Sequence, residues 1–364
     1  MRHALIIAGG SGTRLWPMST AALPKQLIPF IDGRSLLQIA MDRLEGLVPD
    51  NQIFVCAGES TRDVMLDKLP KLRAECFIAE PTGRDTLNAV ALASGVIAHR
   101  DPDAVIAVFT ADHLIEPVDR FQQIVTQGYE LAERDDPTLV TFGVKPTYPA
   151  TGFGYLQLGE PIGAAGRVVD QFKEKPDLDT AQQWLDAGPE KFLWNSGMFV
   201  WKASTVLGCC AKHAPDNFAE LTKIFDAWGT DAQDQTLNTI FPDLPKISID
   251  YAIMEPASTD ADYTVAAVPM DLTWLDVGSW PAFAETVTPD DAGNAVAAGK
   301  AVLIDTTNTL VASEDPGHAV TVLGCDDLIV IHTAHSTMVC HRDAAQDIKK
   351  LHAEVKQSLG HEHV

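Results

Sequence analysis

Over roughly the first 145 residues, short unbroken apolar runs alternate with helix-like segments. Residues 4–8, 52–57, 74–78, 105–110 and 139–144 read as strands, and residues 35–47, 60–69, 84–100 and 118–133 as helices. Strands that are apolar throughout and separated by helices predict a mainly parallel sheet covered on both faces. The pattern loosens between 146 and 285. Hairpin-like pieces at 154–158 and 167–173 mix there with helices near 180–187, 203–212 and 249–255. This stretch reads as a covering region inserted into, and returning to, the same sheet.

Past Pro289 the texture changes again. Strands at 301–305, 309–312, 319–323 and 328–332 are punctuated by Asp, Asn and Gly, and an amphipathic helix follows at 343–359. The turn spacing points to stacked β-rungs without a strict repeat. The expected organisation is a large α/β domain over residues 1–289 and a β-rich domain ending in a helix over 290–364.

Composition narrows the classes. Hydrophobic residues make up 46% of 364, enough for a substantial core. No apolar run reaches the ~18 residues of a membrane span. The apolar start is too short for a signal peptide, so a cytoplasmic location is expected. A net charge of −23 argues against broad nucleic-acid binding, which needs concentrated cations. Six cysteines without a C-x-x-C read as reduced thiols.

The first strand runs into Gly9-Gly10-Ser11-Gly12-Thr13-Arg14. Glycines let backbone N–H groups approach an anion closely. A dinucleotide fingerprint fails because Leu15 holds the third glycine position, which argues against a nicotinamide oxidoreductase. No Gly-Lys-Ser/Thr closes a P-loop either. The remaining G-G-x-G-x-R loop is either a connecting turn or a polyphosphate cradle. Pro17 and Pro24-Lys25-Gln26 lengthen it and add a second cation to Arg14, which favours the cradle.

Gly9-Gly10-Ser11-Gly12-Thr13-Arg14-Leu15-Trp16-Pro17-Met18-Ser19, continued by Pro24-Lys25-Gln26, closely resembles the signature of mannose-1-phosphate guanylyltransferases. The resemblance continues in order through Glu80-Pro81-Thr82-Gly83-Arg84-Asp85-Thr86, Ala111-Asp112-His113 and Phe142-Gly143-Val144-Lys145-Pro146. It extends through Thr151-Gly152-Phe153-Gly154-Tyr155, Phe172-Lys173-Glu174-Lys175-Pro176 and Trp194-Asn195-Ser196-Gly197-Met198-Phe199. Ser248-Ile249-Asp250-Tyr251 and Trp274-Leu275-Asp276-Val277-Gly278-Ser279-Trp280 complete it. One departure is Arg84-Asp85-Thr86-Leu87-Asn88, where the commoner pattern is Arg-Asn-Thr-Ala-Pro. Longer relatives also carry a phosphomannose isomerase domain. This chain stops after its last helix, so a monofunctional enzyme is expected.

The resemblance implies a Rossmann-like nucleotidyltransferase, three-layered with a mixed, mainly parallel sheet, and a small C-terminal β-helix-like domain. It implies transfer of GMP from GTP to mannose 1-phosphate with Mg²⁺; a homodimer, with the β-rich domain as its contact, is a further expectation. In such a reaction the attacking phosphate is already ionised, so positioning and electrostatics should carry the rate. Asp112 follows a buried strand at a carboxyl edge, where open α/β sheets bind ligands. Asp112 and Asp276 match the family's metal positions, and two carboxylates with phosphate oxygens suit Mg²⁺. Strand alternation would turn His113 away, making it structural.

Lys25 is expected at the α-phosphate and Arg14 at the β- and γ-phosphates, over Gly9, Gly10, Gly12 and Thr13. Family likeness implies Gly154, Glu174, Lys175 and Asn195 for the sugar phosphate, and Glu80, Arg84 and Thr86 for the guanosine. Asp250 is either part of that family segment or a first-turn acid favoured by a helix dipole. His332, His335 and His341 lack zinc spacing, and the tail His361-Glu362-His363 reads as frayed. The competing readings are a related enzyme with another base or sugar, and a non-catalytic GDP-mannose-binding subunit.

Overall fold

The computed structural model describes residues 1–10, 12–20, 22–31, 33–360 and 363–364. Its strands begin with β1 (Arg2–Ile7), β2 (Ile53–Gly58), β3 (Phe77–Glu80), β4 (Val105–Thr110), β5 (His113–Glu116) and β6 (Thr138–Val144). Next come β7 (Tyr155–Ile162), β8 (Gly166–Lys173), β9 (Phe192–Lys202), β10 (Thr264–Met270), β11 (Thr273–Asp276) and β12 (Ala295–Ala297). The last are β13 (Lys300–Ile304), β14 (Leu310–Ser313), β15 (Ala319–Leu323), β16 (Leu328–His332) and β17 (Thr337–His341). They gather into two compact units. The first is Met1–Gly9, Ala40–Ala111 and Ile115–Trp274; the second is Gly10–Ile39, Asp112–Leu114 and Leu275–Val364. A division at residue 289 follows chain order, whereas the second unit also draws in two earlier segments.

The first unit is built on a nine-stranded sheet of order β3-β2-β1-β4-β9-β6-β10-β8-β7. β1 pairs in parallel with β2 and β4, β2 with β3, and β6 with β10, while β9 and β8 run against them. The central strands are covered on both faces, which is why Ala4, Leu5 and Ile6 are all fully buried without alternation. The helix Val118–Ala132 buries Phe121, Ile124, Val125 and Tyr129 on one face, at the spacing of an amphipathic helix. Burying one such aromatic ring stabilises the fold by roughly 1.5–3 kcal/mol. Tyr129 satisfies its hydroxyl by donating to the His3 carbonyl at 2.6 Å.

In the second unit, β12, β14 and β16 are parallel neighbours closed by antiparallel β17, and β13 pairs in parallel with β15. Val311, Val320 and Val330 pack together with Leu303 and Val322. Leu310 registers with Ile329, and Thr307 Oγ1 donates to Asp326 Oδ1 at 2.5 Å, a rung offset of 19 residues. Asp305, Asn308 and Asp327 take left-handed backbone at the corners, where Asx residues are tolerated. The opposite faces of β14 and β16 bury Leu310, Ala312, Ile329 and Ile331 in one core with Leu15, Trp16, Ile28, Trp280 and Phe283.

Several expected elements change. Residues 74–78 split into a 3₁₀ turn, Ala74–Cys76, and then β3. The helix expected at 35–47 stops at Asp42, after which i→i+3 bonds tighten the chain towards Gly46. The segment expected as a helix at 249–255 winds as a π-helix, Asp250–Met254, before a short α-turn. The last helix begins as a 3₁₀ segment, Arg342–Asp347. The loosened middle region also holds β9, β10 and the helices Pro215–Ala227 and Gln233–Ile240, which its sequence pattern does not announce.

Candidate functional site

Two clusters of chemically capable side chains stand out, one in each unit. In the second unit the glycine loop turns at Gly12, whose φ of 61° is left-handed, into the 3₁₀ turn Thr13–Leu15. A β-carbon there would lie 2.5 Å from Ser19 Oγ and 2.9 Å from Lys25 Cβ, so only glycine lets the Lys25 turn pack against the loop. Lys25 opens a second 3₁₀ turn, Lys25–Leu27, and is buried. Its ammonium pairs with Asp112 Oδ2. Ser11, part of the expected loop, lies outside the described residues.

Asp112 sits in the turn between β4 and β5, and its carbonyl accepts from Val277 N at 3.0 Å. That bond and the β5–β11 ladder fix Asp112 beside Asp276. Ligand atoms of Asp112, His113 and Asp276 all lie within 4.8 Å of one another. His113 Nε2 is 4.0 Å from Asp112 Oδ1. The expectation that His113 faces away is therefore corrected: Asp112 belongs to a turn, where alternation does not apply. Burial pushes the Asp112 carboxyl up, but Lys25 and then His113 outweigh it and hold it at about 2. Arg14 is exposed, with its guanidinium beside Gly278: a β-carbon on Gly278 would meet Arg14 Nη2 at 3.2 Å and Asp276 Oδ1 at 3.0 Å. This cluster offers two cations and two anions, a fit for a polyanion plus a hard metal ion.

In the first unit, Glu174 and Lys175 follow β8. Lys175 takes a left-handed φ of 45°, an uncommon state for a side-chain-bearing residue, and its ammonium donates to Glu174 Oε1 at 2.5 Å. Glu255 accepts from Glu174 N at 3.1 Å and from Lys173 Nζ at 2.7 Å. A β-carbon on Gly154 would stand 2.5 Å from Glu174 Oε2. Asn195, on β9, donates from Nδ2 to Asp250 Oδ1 at 2.8 Å and accepts at Oδ1 from Thr141 Oγ1 at 2.7 Å. Burial, and then the nearby Glu174, raise the Asp250 carboxyl to about 7. Asp250 is thus tied into this cluster, whereas its sequence context is equally compatible with a simple first-turn acid. Thr141, Glu255 and His113 join the two clusters without having been expected there. Only the Thr of an otherwise apolar strand carries any signal for Thr141.

Glu80 ends edge strand β3, is buried, and is raised by burial to about 7. A β-carbon on Gly9 would be 3.5 Å from Glu80 Oε2. Arg84 precedes the helix Asp85–Arg100, and its Nε is buried without a partner among the described residues. Thr86 Oγ1 accepts from Ile249 N at 2.9 Å, tying this segment to the Asp250 turn. The unusual Asn88 donates to the carbonyls of Arg84 and Pro245 at 2.8 and 2.9 Å, and accepts from Asn217 at 2.8 Å. Its departure from the family pattern thus has a structural use. Of the tail, His361 and Glu362 lie outside the described residues, while the His363 carbonyl accepts from Trp16 Nε1 at 2.8 Å.

Comparison with known proteins bears on the fold and the family. A nucleotidyl transferase family model matches residues 3–292, and a mannose-phosphate isomerase/GMP-like β-helix domain model matches residues 299–355. The chain is 36% identical over 375 residues to an Escherichia coli K12 mannose-1-phosphate guanylyltransferase, covering 99% of this chain and 75% of the relative. It is 35% identical over 357 residues to the xanthan biosynthesis protein XanB of Xanthomonas campestris, covering 97% of this chain and 73% of that protein. A crystal structure from Thermus thermophilus, described as a mannose-1-phosphate geranyltransferase, superposes with a TM-score of 0.85 at 29% identity, over 98% and 99% of the two chains. On its sequence, its sheet and its β-rungs, the chain belongs to the mannose-1-phosphate guanylyltransferases, nucleotidyltransferase enzymes that produce GDP-mannose.

Proposed function

We propose that the protein transfers GMP from GTP to α-D-mannose 1-phosphate by in-line attack of the sugar phosphate on the α-phosphorus, releasing pyrophosphate, with Mg²⁺. The gathering of Lys25, Asp112, His113 and Asp276 carries this reading. Two carboxylates and one imidazole within 4.8 Å form an oxygen-dominated donor set that fits a hard divalent cation. Asp112 and Asp276 would hold Mg²⁺, which when bound supplies neutralising charge to phosphate oxygens.

The chain's own groups do the rest. Lys25 is already fixed by Asp112 before substrate arrives, so its charge meets the α-phosphate at little reorganisation cost. Arg14 offers a planar fork to the β- and γ-phosphates as charge builds on the leaving pyrophosphate. Gly9, Gly10, Gly12 and Thr13 lend backbone donors, and Glu80, Arg84 and Thr86 form the guanosine side. Glu174 accepts from sugar hydroxyls beside Gly154 and Asn195, and Lys175 orients the attacking phosphate. No general base is required, because that phosphate is ionised at neutral pH.

Within this proposal the enzyme works in the cytoplasm as a homodimer. Among the described residues no helix is long and apolar enough to cross a membrane. Val302, Ile304 and Leu323 are all more than half exposed on the paired strands β13 and β15, which supports self-association. Sedimentation of the purified protein checks the stoichiometry.

The functional test is pyrophosphate release with GTP, ATP, UTP and dTTP against mannose, glucose and N-acetylglucosamine 1-phosphates. The expected result is turnover with GTP and mannose 1-phosphate, abolished by EDTA. A preference for another pair would move the enzyme to a sister activity. Tight GDP-mannose binding without any turnover would make it a sensing subunit.

A further inference from the structure

The proposed sugar cluster contains a hydrogen-bond chain that starts inside the sheet. Thr141 lies on β6, fully buried, and its hydroxyl is 2.7 Å from Asn195 Oδ1 and 3.1 Å from the Met198 carbonyl. The β6–β9 ladder shifts register between Thr141 and Gly143, a bulge that brings Thr141 and Asn195 side by side on neighbouring strands. A hydroxyl has one proton, and the shorter contact takes it. With its Oδ1 taken by Thr141, Asn195 presents its amide nitrogen to Asp250 Oδ1, which accepts at 2.8 Å. Each polar end of Asn195 is consequently held by one bond within the protein, leaving one amide proton and one oxygen lone pair for a ligand. Asp250 opens a π-helical turn, a form of backbone frequent at functional sites, and stands next to Glu174 and Lys175.

We infer that Asp250 is a second sugar-facing carboxylate beside Glu174, and that Thr141 is a positioning residue that aims it through Asn195. The inference rests on the proposed sugar-phosphate site and names the group that selects among ring hydroxyls there. Glu174 and Asp250 together bracket the ring with acceptors, so the substrate class is a hexose 1-phosphate chosen by the stereochemistry of its hydroxyls.

Three variants test it. The wild-type protein first identifies its preferred sugar 1-phosphate from the panel above. A preference other than mannose overturns the functional reading, and the relay is then read on that preferred sugar. Thr141→Val keeps shape and removes the donor; it should raise KM for the sugar phosphate about 10-fold, the usual worth of one buried hydrogen bond, leaving KM for GTP unchanged. Thr141→Ser should restore it. Asp250→Asn should reduce discrimination between mannose and glucose 1-phosphates by about 10-fold or more, measured as a ratio of kcat/KM values. Calorimetric binding of the sugar phosphate reads the same shifts if a variant turns over too slowly. Unchanged sugar KM and selectivity in folded Thr141→Val and Asp250→Asn would overturn the relay. An equal rise in KM for GTP would do so too, by showing only structural damage.

Discussion

Gly154 and Glu174 are packed so closely that the smallest added side chain on the glycine would stand 2.5 Å from the carboxylate. The buried Glu174 has little room to retreat, because its backbone N–H is held by Glu255 and its Oε1 by Lys175. Gly154→Ala is therefore expected to displace the carboxylate, raising KM for mannose 1-phosphate by about 10-fold or more while leaving KM for GTP in place. Overpacking should also cost about 1–3 kcal/mol in urea unfolding. Steady-state kinetics with both substrates varied will show it; an unmoved sugar KM would contradict the assignment.

Lys25 is the charge expected to meet the α-phosphate. Lys25→Met should lower kcat by about 10²–10³, the scale seen when one preorganised electrostatic group is removed. The effect should appear in kcat more than in either KM, since the group acts as charge develops. Rapid-quench measurement of GDP-mannose formation separates this from slow product release.

The Asp112 and Asp276 pair predicts an absolute requirement for a divalent ion. EDTA should abolish turnover and added Mg²⁺ restore it. Asp276→Asn should raise the concentration of metal needed for half-maximal activity at least ~10-fold, because even outer-sphere partners of ligands are worth that much. Titration with Mn²⁺ followed by electron paramagnetic resonance measures the binding directly. Equal affinity in the variant would place the metal elsewhere.

Glu80 makes a pH prediction with a definite sign. Its carboxyl is raised in the folded protein to about 7 by burial, while the unfolded chain ionises near the ordinary value of about 4.5. The unfolded state therefore releases its proton first as pH rises. The contribution to stability is whole below about pH 4.5 and is lost as pH climbs to about 7. Glu80→Gln should match the wild type near pH 4 and exceed it at about pH 8 by on the order of 2–3 kcal/mol. Urea midpoints across this range will decide; parallel curves would mean Glu80 is ionised in the fold.

Gly12→Ala tests the loop. It combines a left-handed φ, costing roughly 1–2 kcal/mol for a residue with a β-carbon, with the approach to Ser19 and Lys25. The expected outcome is a lower melting temperature together with a fall in kcat. Gly58→Ala, at a glycine whose β-carbon would meet nothing nearer than Ser60 Oγ at 3.9 Å, should show neither. Near-wild-type kcat in Gly12→Ala would show that Lys25 does not depend on this packing.

Much of this architecture is readable because the parallel strands are buried on both faces and leave unbroken apolar runs; β4 matches its expected bounds fully. Lys25, Asp112 and Asp276 are legible through ordered motifs. The place of His113 is not, because alternation assumes a strand and Asp112 occupies a turn. Nor is that of Thr141, because a threonine in an apolar strand looks like an ordinary β-branched filler until the bulge sets its partner. No local pattern reveals that Gly10–Ile39 folds with Leu275–Val364. Trp16 is one link in that grouping: its carbonyl accepts from Trp280 Nε1 at 3.0 Å, a contact across 264 positions.

The same grouping constrains how the protein comes into being. The glycine loop leaves the ribosome among the first segments made, yet Leu15 and Trp16 find their packing partners in Trp280, Leu310, Ile329 and Ile348. The nine-stranded sheet itself is complete only once β10 has been made, and the turn bearing Arg14 and Lys25 gains its packing partners only with the β-rungs that follow. A translation product that stops short of those rungs lacks Leu310, Ile329 and Ile348, against which the glycine-loop segment packs.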